Sequence, residues 1–341
     1  MTRVLYVGGT GTISHSCVLA SVARGQDVYV LNRGRTSSRR PLPPEATVLT
    51  ADVRDPASVR ETLGDRRFDA VVDFLTFDAA QARLAVDTYG GRTAQYVFVS
   101  SASVYHKPVL RVPIVESTPR RNPFTAYSRD KIDAEDAFMA AWRDEGFPVT
   151  VVRPSHTYDD IHPPLPGEWT VVDRLCRGDE VVVPGDGTSL WTLTHAADLA
   201  AGLVGLLGHP FTIGEAFHIT SDEAYTWDQI YETVAAAAGT TARLVHVPSE
   251  MLSLAAPDWF WSELILGDLR YTALFDNTKI RRYVPSFAPR VTLPEVAPRW
   301  LEWRAAHPDA TRPDPVVDAV LDRLAGGYDE ARKVFAGLAP S

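Results

Sequence analysis

Two residues in the segment "AYSRDK" are spaced for proton chemistry. Tyr127 and Lys131 lie four apart, which on a helix puts both side chains on one face. A free phenol titrates near pH 10, so a tyrosine that acts near neutrality needs a cation beside it. Lysine is scarce here, with only Lys107, Lys131, Lys279 and Lys333, so the pairing is more telling than in a lysine-rich chain. An exposed helix pair is the competing reading. Upstream, "VFVSSASVY" places Ser100, Ser101 and Ser103 at the end of an expected strand. Hydroxyls at the C-terminal end of a parallel strand point into the crevice where ligands bind. Thr76, closing "FDAVVDFLT", is a further candidate substrate contact. Ordinary turn residues are the alternative for each.

A second constellation is "VGGTGTISHS", residues 7–16. Glycines after a strand and before a helix let the backbone turn tightly and approach a pyrophosphate, which sits on the helix N-terminus. Gly8 and Gly11 keep that spacing, and Ser14 stands where a third glycine is due. Serine adds only a hydroxymethyl, which a slightly wider helix–strand spacing absorbs. The second strand, "DVYVLNR", ends at Asn32 and Arg33, with Arg35 close behind. An acidic residue there would bond a ribose 2′-OH. Asn32 lacks that charge, and Arg33 and Arg35 suit a 2′-phosphate, favouring NADP while leaving NAD open.

These groups need a scaffold. Short β-branched runs, continuous rather than alternating, imply strands buried on both faces. Six of them alternate with helical segments over the first 160 residues. The expected fold is α/β: a Rossmann-type doubly wound parallel sheet with a smaller, discontinuous C-terminal substrate-binding domain. The dinucleotide-binding domain is expected over 1–160, with 190–222 returning to it. Residues 161–189 and 223–310 form the substrate region, and 311–341 a C-terminal helix and tail.

The chain has 341 residues, 45% of them hydrophobic, which is enough for a large core. Its net charge of −9 argues against a nucleic-acid partner. Two cysteines, Cys17 and Cys176, offer neither a disulfide framework nor zinc spacing. The first apolar run is too short for a signal peptide, and no 18-residue apolar stretch follows. A soluble cytoplasmic protein with no membrane partner and no metal is expected.

Taken in order, "GGTGTIS", "DV" at 52–53, "SSASVY", Tyr127-x-x-x-Lys131 and "VVRPSHTY" resemble the extended short-chain dehydrogenase/reductases. More narrowly, they resemble the NAD-dependent epimerase/dehydratase group, from residue 3 to about 305. The resemblance implies a cradle at Gly8, Gly11, Thr12 and Ile13, and adenine contacts at Asp52 and Val53. It implies a catalytic serine at Ser101 and a base at Tyr127. Lys131 would hold the cofactor ribose and lower the tyrosine's pKa. Pro154 and His156 fall among the cofactor contacts, and Ser103 and Ser155 among the substrate contacts. Such proteins commonly dimerise, so a homodimer is possible.

Three departures stand out. The Asp-Glu pair that 4,6-dehydratases carry after the catalytic hydroxyl is Ala102-Ser103 here. Trp191 occupies the place of a diphosphate-binding arginine; it could stack on a base or sugar face, or be plain core. A substrate-binding asparagine is Ser155, followed by His156. His156, His106 and Lys107 are weaker acid–base candidates. The leading function is an epimerase or dehydratase that oxidises a sugar hydroxyl of a nucleoside or sugar nucleotide to a transient ketone. The alternatives are an NADP-dependent ketoreductase and a non-catalytic relative that binds NADP or RNA.

Overall fold

The computed structural model describes residues 1–34 and 39–338. Six strands come from the first half: β1 (Arg3–Val7), β2 (Asp27–Asn32), β3 (Thr47–Thr50), β4 (Ala70–Asp73), β5 (Tyr96–Val99) and β6 (Val149–Pro154). A seventh, Ala216–Ile219, pairs with β6 after a long excursion. Across the sheet the order is Ala216–Ile219, β6, β5, β4, β1, β2, β3. Every neighbouring pair is parallel. Sequence order reverses between β1 and β4, the switch point where such sheets open a crevice at their C-terminal ends. β4, β5 and β6 are buried at every residue, as continuous apolar runs require.

Local signals set the helices. α1 (Thr12–Ala23) starts at Gly11. α2 (Pro56–Leu63) has proline at its first position and Asp55 accepting from Ala57 and Ser58 N–H. α3 (Ala79–Tyr89) is capped by Asp78. α4 (Ala126–Glu145) carries Tyr127 and Lys131. Thr125 caps its start, and Gly146, at φ 70°, ends it in the left-handed conformation.

The other region is built on a parallel pair, Glu180–Pro184 with Arg243–Val247. Helices Glu168–Arg177, Trp227–Ala237 and Leu293–Ala306 pack around it. Its core buries Trp227 and Trp300 completely. One boundary differs from expectation. Trp191 and Leu193 pack in this core, not in the sheet's. The expected C-terminal helix is Pro315–Ala336, and it packs on this region: Leu321 and Leu324 enter the same core, and Arg174 bonds Asp318 and Asp322 at 2.5 and 2.6 Å. Burial outweighs the helix's charged composition.

Among the described residues, no helix is long and apolar enough to cross a membrane. None of the described residues form a His/Cys/Asp/Glu cluster suited to a metal ion.

Candidate active site

A cleft of about 410 Å³ opens where β1, β5 and β6 end. It brings together Ser101, Ser103, Tyr127, Lys131, Ser155 and Trp191, drawn from separate stretches of chain. Gly11, Thr12, Ile13, Pro154 and His156 line it too. A second hollow of about 350 Å³ contains Gly8, Asn32, Arg33, Asp52 and Val53. Phe77 borders both, so the two form halves of one groove across the switch point. Arg35 lies outside the described residues.

The glycine turn fits a dinucleotide. Gly8 sits at φ 81°, in the left-handed region, and donates its N–H to Leu31. A Cβ on Gly9 would come within 2.4 Å of Val30 Cγ1, so the turn lies flat on β2. Ser14 secures the turn, because its hydroxyl oxygen accepts the Gly11 N–H at 2.9 Å and closes the start of α1. Buried, it packs where the third glycine was due. Asn32 also serves the backbone, accepting from Gly34 N–H at 2.9 Å. Arg33 is exposed at the rim of the adenosine-side hollow. Asp52 accepts from Arg54 N–H at 3.0 Å and Val53 forms apolar wall. Thr12 accepts from Arg40 at 3.2 Å, and Arg40 also binds Asp159.

The three serines after β5 have separate fates. Ser100 donates to Glu135 at 2.5 Å and is committed to the interior. Ser101 accepts from Ser103 N–H at 3.2 Å and hydrogen-bonds Tyr127. Ser103 Oγ is buried and has no hydrogen-bond partner among the described residues. An orphaned hydroxyl in a ligand-sized cleft is a ready contact for a substrate.

Lys131 is buried, with Nζ donating to the carbonyls of Thr76 at 2.7 Å and Val99 at 3.0 Å. Burial lowers its pKa to about 8, against the pull of Asp73 and Glu135. Burial raises the Tyr127 pKa, the Ser101 hydrogen bond lowers it, and the Asp268 carboxylate raises it again.

Behind the cleft lies a buried charge network. Arg153 grips Glu135 through two bonds of 2.9 and 2.7 Å, and Arg120 adds a third at 3.2 Å. Tyr105 accepts from Arg153 and meets His218. Glu135 is on α4, one turn after Lys131, so the network fixes that helix against β6.

Several expectations need correction. Thr76 does not reach the cleft: its hydroxyl donates to Asp73 at 2.5 Å, and only its carbonyl serves the site, through Lys131. Trp191 lines the cleft but is 2% exposed and donates its indole N–H to Leu269, so it has no open face for stacking. His156 contacts Trp191, Trp227 and Trp261 edge-on. Burial lowers its pKa to about 4, so the ring is neutral near pH 7 and is no proton shuttle there. His106 bonds the Pro108 carbonyl and Lys107 is sealed in an ion pair with Asp268; neither lines the cleft. Sequence reasoning missed Phe260, Leu264, Asp268 and Leu269, which close the far wall. The aromatic "PDWFWSEL" was the visible signal for Phe260 and Leu264, and Asp268 and Leu269 lie beyond it.

Residues 4–220 match the family model described as NAD dependent epimerase/dehydratase family. A 2′-dehydrokanamycin reductase from Streptomyces kanamyceticus is 28% identical over 84% of this chain and 80% of its own length. Chloroplast stem-loop binding protein of 41 kDa b from Arabidopsis thaliana is 25% identical over 70% and 63%. Among solved structures, UDP-glucose 4-epimerase from Bifidobacterium longum, in complex with NAD+ and UDP, superposes with a TM-score of 0.70. It is 20% identical, with 91% of this chain and 100% of that one covered. Epimerase Mth375 from Methanothermobacter thermautotrophicus gives 0.74, at 17% identity over 91% and 94%. Together with the parallel sheet, the glycine turn and the cleft, the match establishes that this chain belongs to the NAD dependent epimerase/dehydratase family.

Proposed function

We propose that this chain is an NAD(P)-dependent reductase of a keto sugar that carries no diphosphate. One observation carries the reading: Ser101, Tyr127 and Lys131 meet in a cleft that offers little to an anion. Among the described residues lining it, the basic side chains are Lys131 and His156, and the acidic one is Asp268. With His156 neutral and Lys131 bound to two carbonyls, a sugar diphosphate gains no counter-charge from that lining.

Gly8, Gly11, Thr12 and Ile13 would hold the pyrophosphate, and Asp52 and Val53 the adenine. Arg33 favours a 2′-phosphate, hence NADP. When bound, the cofactor supplies the hydride. Tyr127 would give its proton to the carbonyl oxygen as the carbon is reduced, leaving a hydroxyl. Ser101, bonded to Tyr127, would hold that oxygen in place. Lys131 would hold the cofactor ribose, and its positive charge would favour the phenolate left behind. The similarity to 2′-dehydrokanamycin reductase over most of both chains supports this direction.

The family match favours a second reading, an internal redox cycle that epimerises a sugar. Ala102 and Ser103, where dehydratases have two carboxylates, disfavour loss of water. Turnover of keto sugars with deuterated NADPH separates the two readings. Net reduction leaves one deuterium on carbon and consumes cofactor stoichiometrically. Turnover without added cofactor and without label would overturn the reductase reading.

A further inference from the structure

The far wall of the cleft holds a carboxylate that the hydride-transfer chemistry does not use. Asp268 lies in a π-helical turn, Ile265–Leu269, immediately before Leu269. Turns of this kind are rare and often mark functional sites. Its carbonyl end is pinned: the indole N–H groups of Trp191 and Trp227 both donate to the Leu269 carbonyl, at 2.7 and 2.8 Å. The turn also lies directly on the start of α4. A Cβ on Gly267 would come within 2.3 Å of Thr125 Cγ2, so only glycine allows this approach. Asn122 ties the two sides together, donating to the Gly267 and Ser103 carbonyls, each at 3.0 Å. Asp268 is thereby held in register with Tyr127 and Ser103.

Its charge is supported on one side only. Lys107, 1% exposed, reaches Asp268 Oδ1 at 2.6 Å, with the Trp191 and Tyr271 rings within 6 Å of its ammonium. No described residue hydrogen-bonds Oδ2. A buried ion pair in an aromatic wall is a weak stabilising device, because desolvation offsets the attraction. A carboxylate with an unused oxygen beside a ligand cleft has a better use.

Resting on the keto-sugar reading, we infer that Asp268, braced by Lys107, selects substrates through a hydrogen-bond donor on the sugar ring, and takes an ammonium in preference to a hydroxyl. The shared chemistry is a donor to Oδ2. An ammonium adds charge assistance, which is worth about tenfold in affinity. Lys107 is a positioning residue: its ammonium fixes the orientation of the carboxylate.

The test is binding to the NADP+-loaded protein, read by ligand NMR, with glucosamine, glucose and 2-deoxyglucose as probes. Wild type binds glucosamine about tenfold tighter than 2-deoxyglucose, with glucose between. Asp268→Asn removes the preference for glucosamine and leaves NADP+ affinity unchanged. If that variant fails to fold because Lys107 is stranded, Lys107→Met/Asp268→Asn removes both charges together and keeps the test. Equal affinity for the three probes, no saturable binding of glucosamine, or an unchanged preference in either variant overturns the inference. Tyr127→Phe separates this from the catalytic reading: it slows reduction by about 10²–10⁴-fold and leaves probe selectivity intact.

Discussion

On the cofactor side of the cleft, the backbone forms the surface. Gly8 and Gly9 lie flat against the sheet, the start of α1 faces the groove, and Ser14 and Asn32 use their side chains to secure the turn itself. On the substrate side, side chains form the surface. Ser103, Trp191, Phe260 and Asp268 come from segments up to 165 positions apart and meet only through packing. A backbone cradle accepts a cofactor common to a whole family, since peptide groups are alike in every sequence. A wall of side chains is free to differ, and here its one charged group besides Lys131 is the carboxylate of Asp268, among the described residues and with His156 neutral.

The contrast is open to direct attack. Tyr127→Phe removes the proposed proton donor and lowers kcat by about 10²–10⁴-fold, with cofactor affinity unchanged. Equal losses in kcat and in cofactor binding would mean that the tyrosine only shapes the groove. Next in size is Glu135→Ala. It strands Arg153 in the interior and lowers stability by about 3–5 kcal/mol, read as a shift in denaturant midpoint. A shift under about 1 kcal/mol would mean that water reaches the network.

Gly9→Ala tests the cradle alone. Its added methyl meets Val30 and costs about 1–3 kcal/mol through overpacking. Cofactor affinity falls with it, while sugar-probe selectivity stays. The smallest effect is a pH dependence. Lys131 is an ammonium below about pH 8 and loses its proton above it. Cofactor affinity therefore falls as pH rises through 8, and a Lys131→Met variant shows no such step. Folding stability moves the opposite way. Between about 8 and the unfolded value of 10.5, the unfolded chain holds the extra proton, so the Lys131 contribution to stability rises with pH.

Legibility in the sequence followed distance along the chain. Ser101 and the Tyr127–Lys131 pair were visible because strand ends and helix faces are local patterns. Thr76 was misplaced because its hydroxyl had a nearer partner in Asp73, which pattern alone does not reveal. Trp191 read equally well as platform or core, and packing with Trp227 under the Leu269 carbonyl decided it. Asp268 gave no signal, because its role depends on Lys107, 161 positions away, and on a π-helical turn that no periodicity announces.

By itself, the sequence determined the Rossmann-type sheet, the dinucleotide turn and the pairing of Tyr127 with Lys131 on one helix. Each of these is written in short-range spacing that backbone geometry converts directly into structure. The tertiary structure alone decided which hydroxyls stay free, which histidine is neutral and what faces the substrate. Those properties depend on burial and on partners from remote segments, and neither exists until the chain has folded.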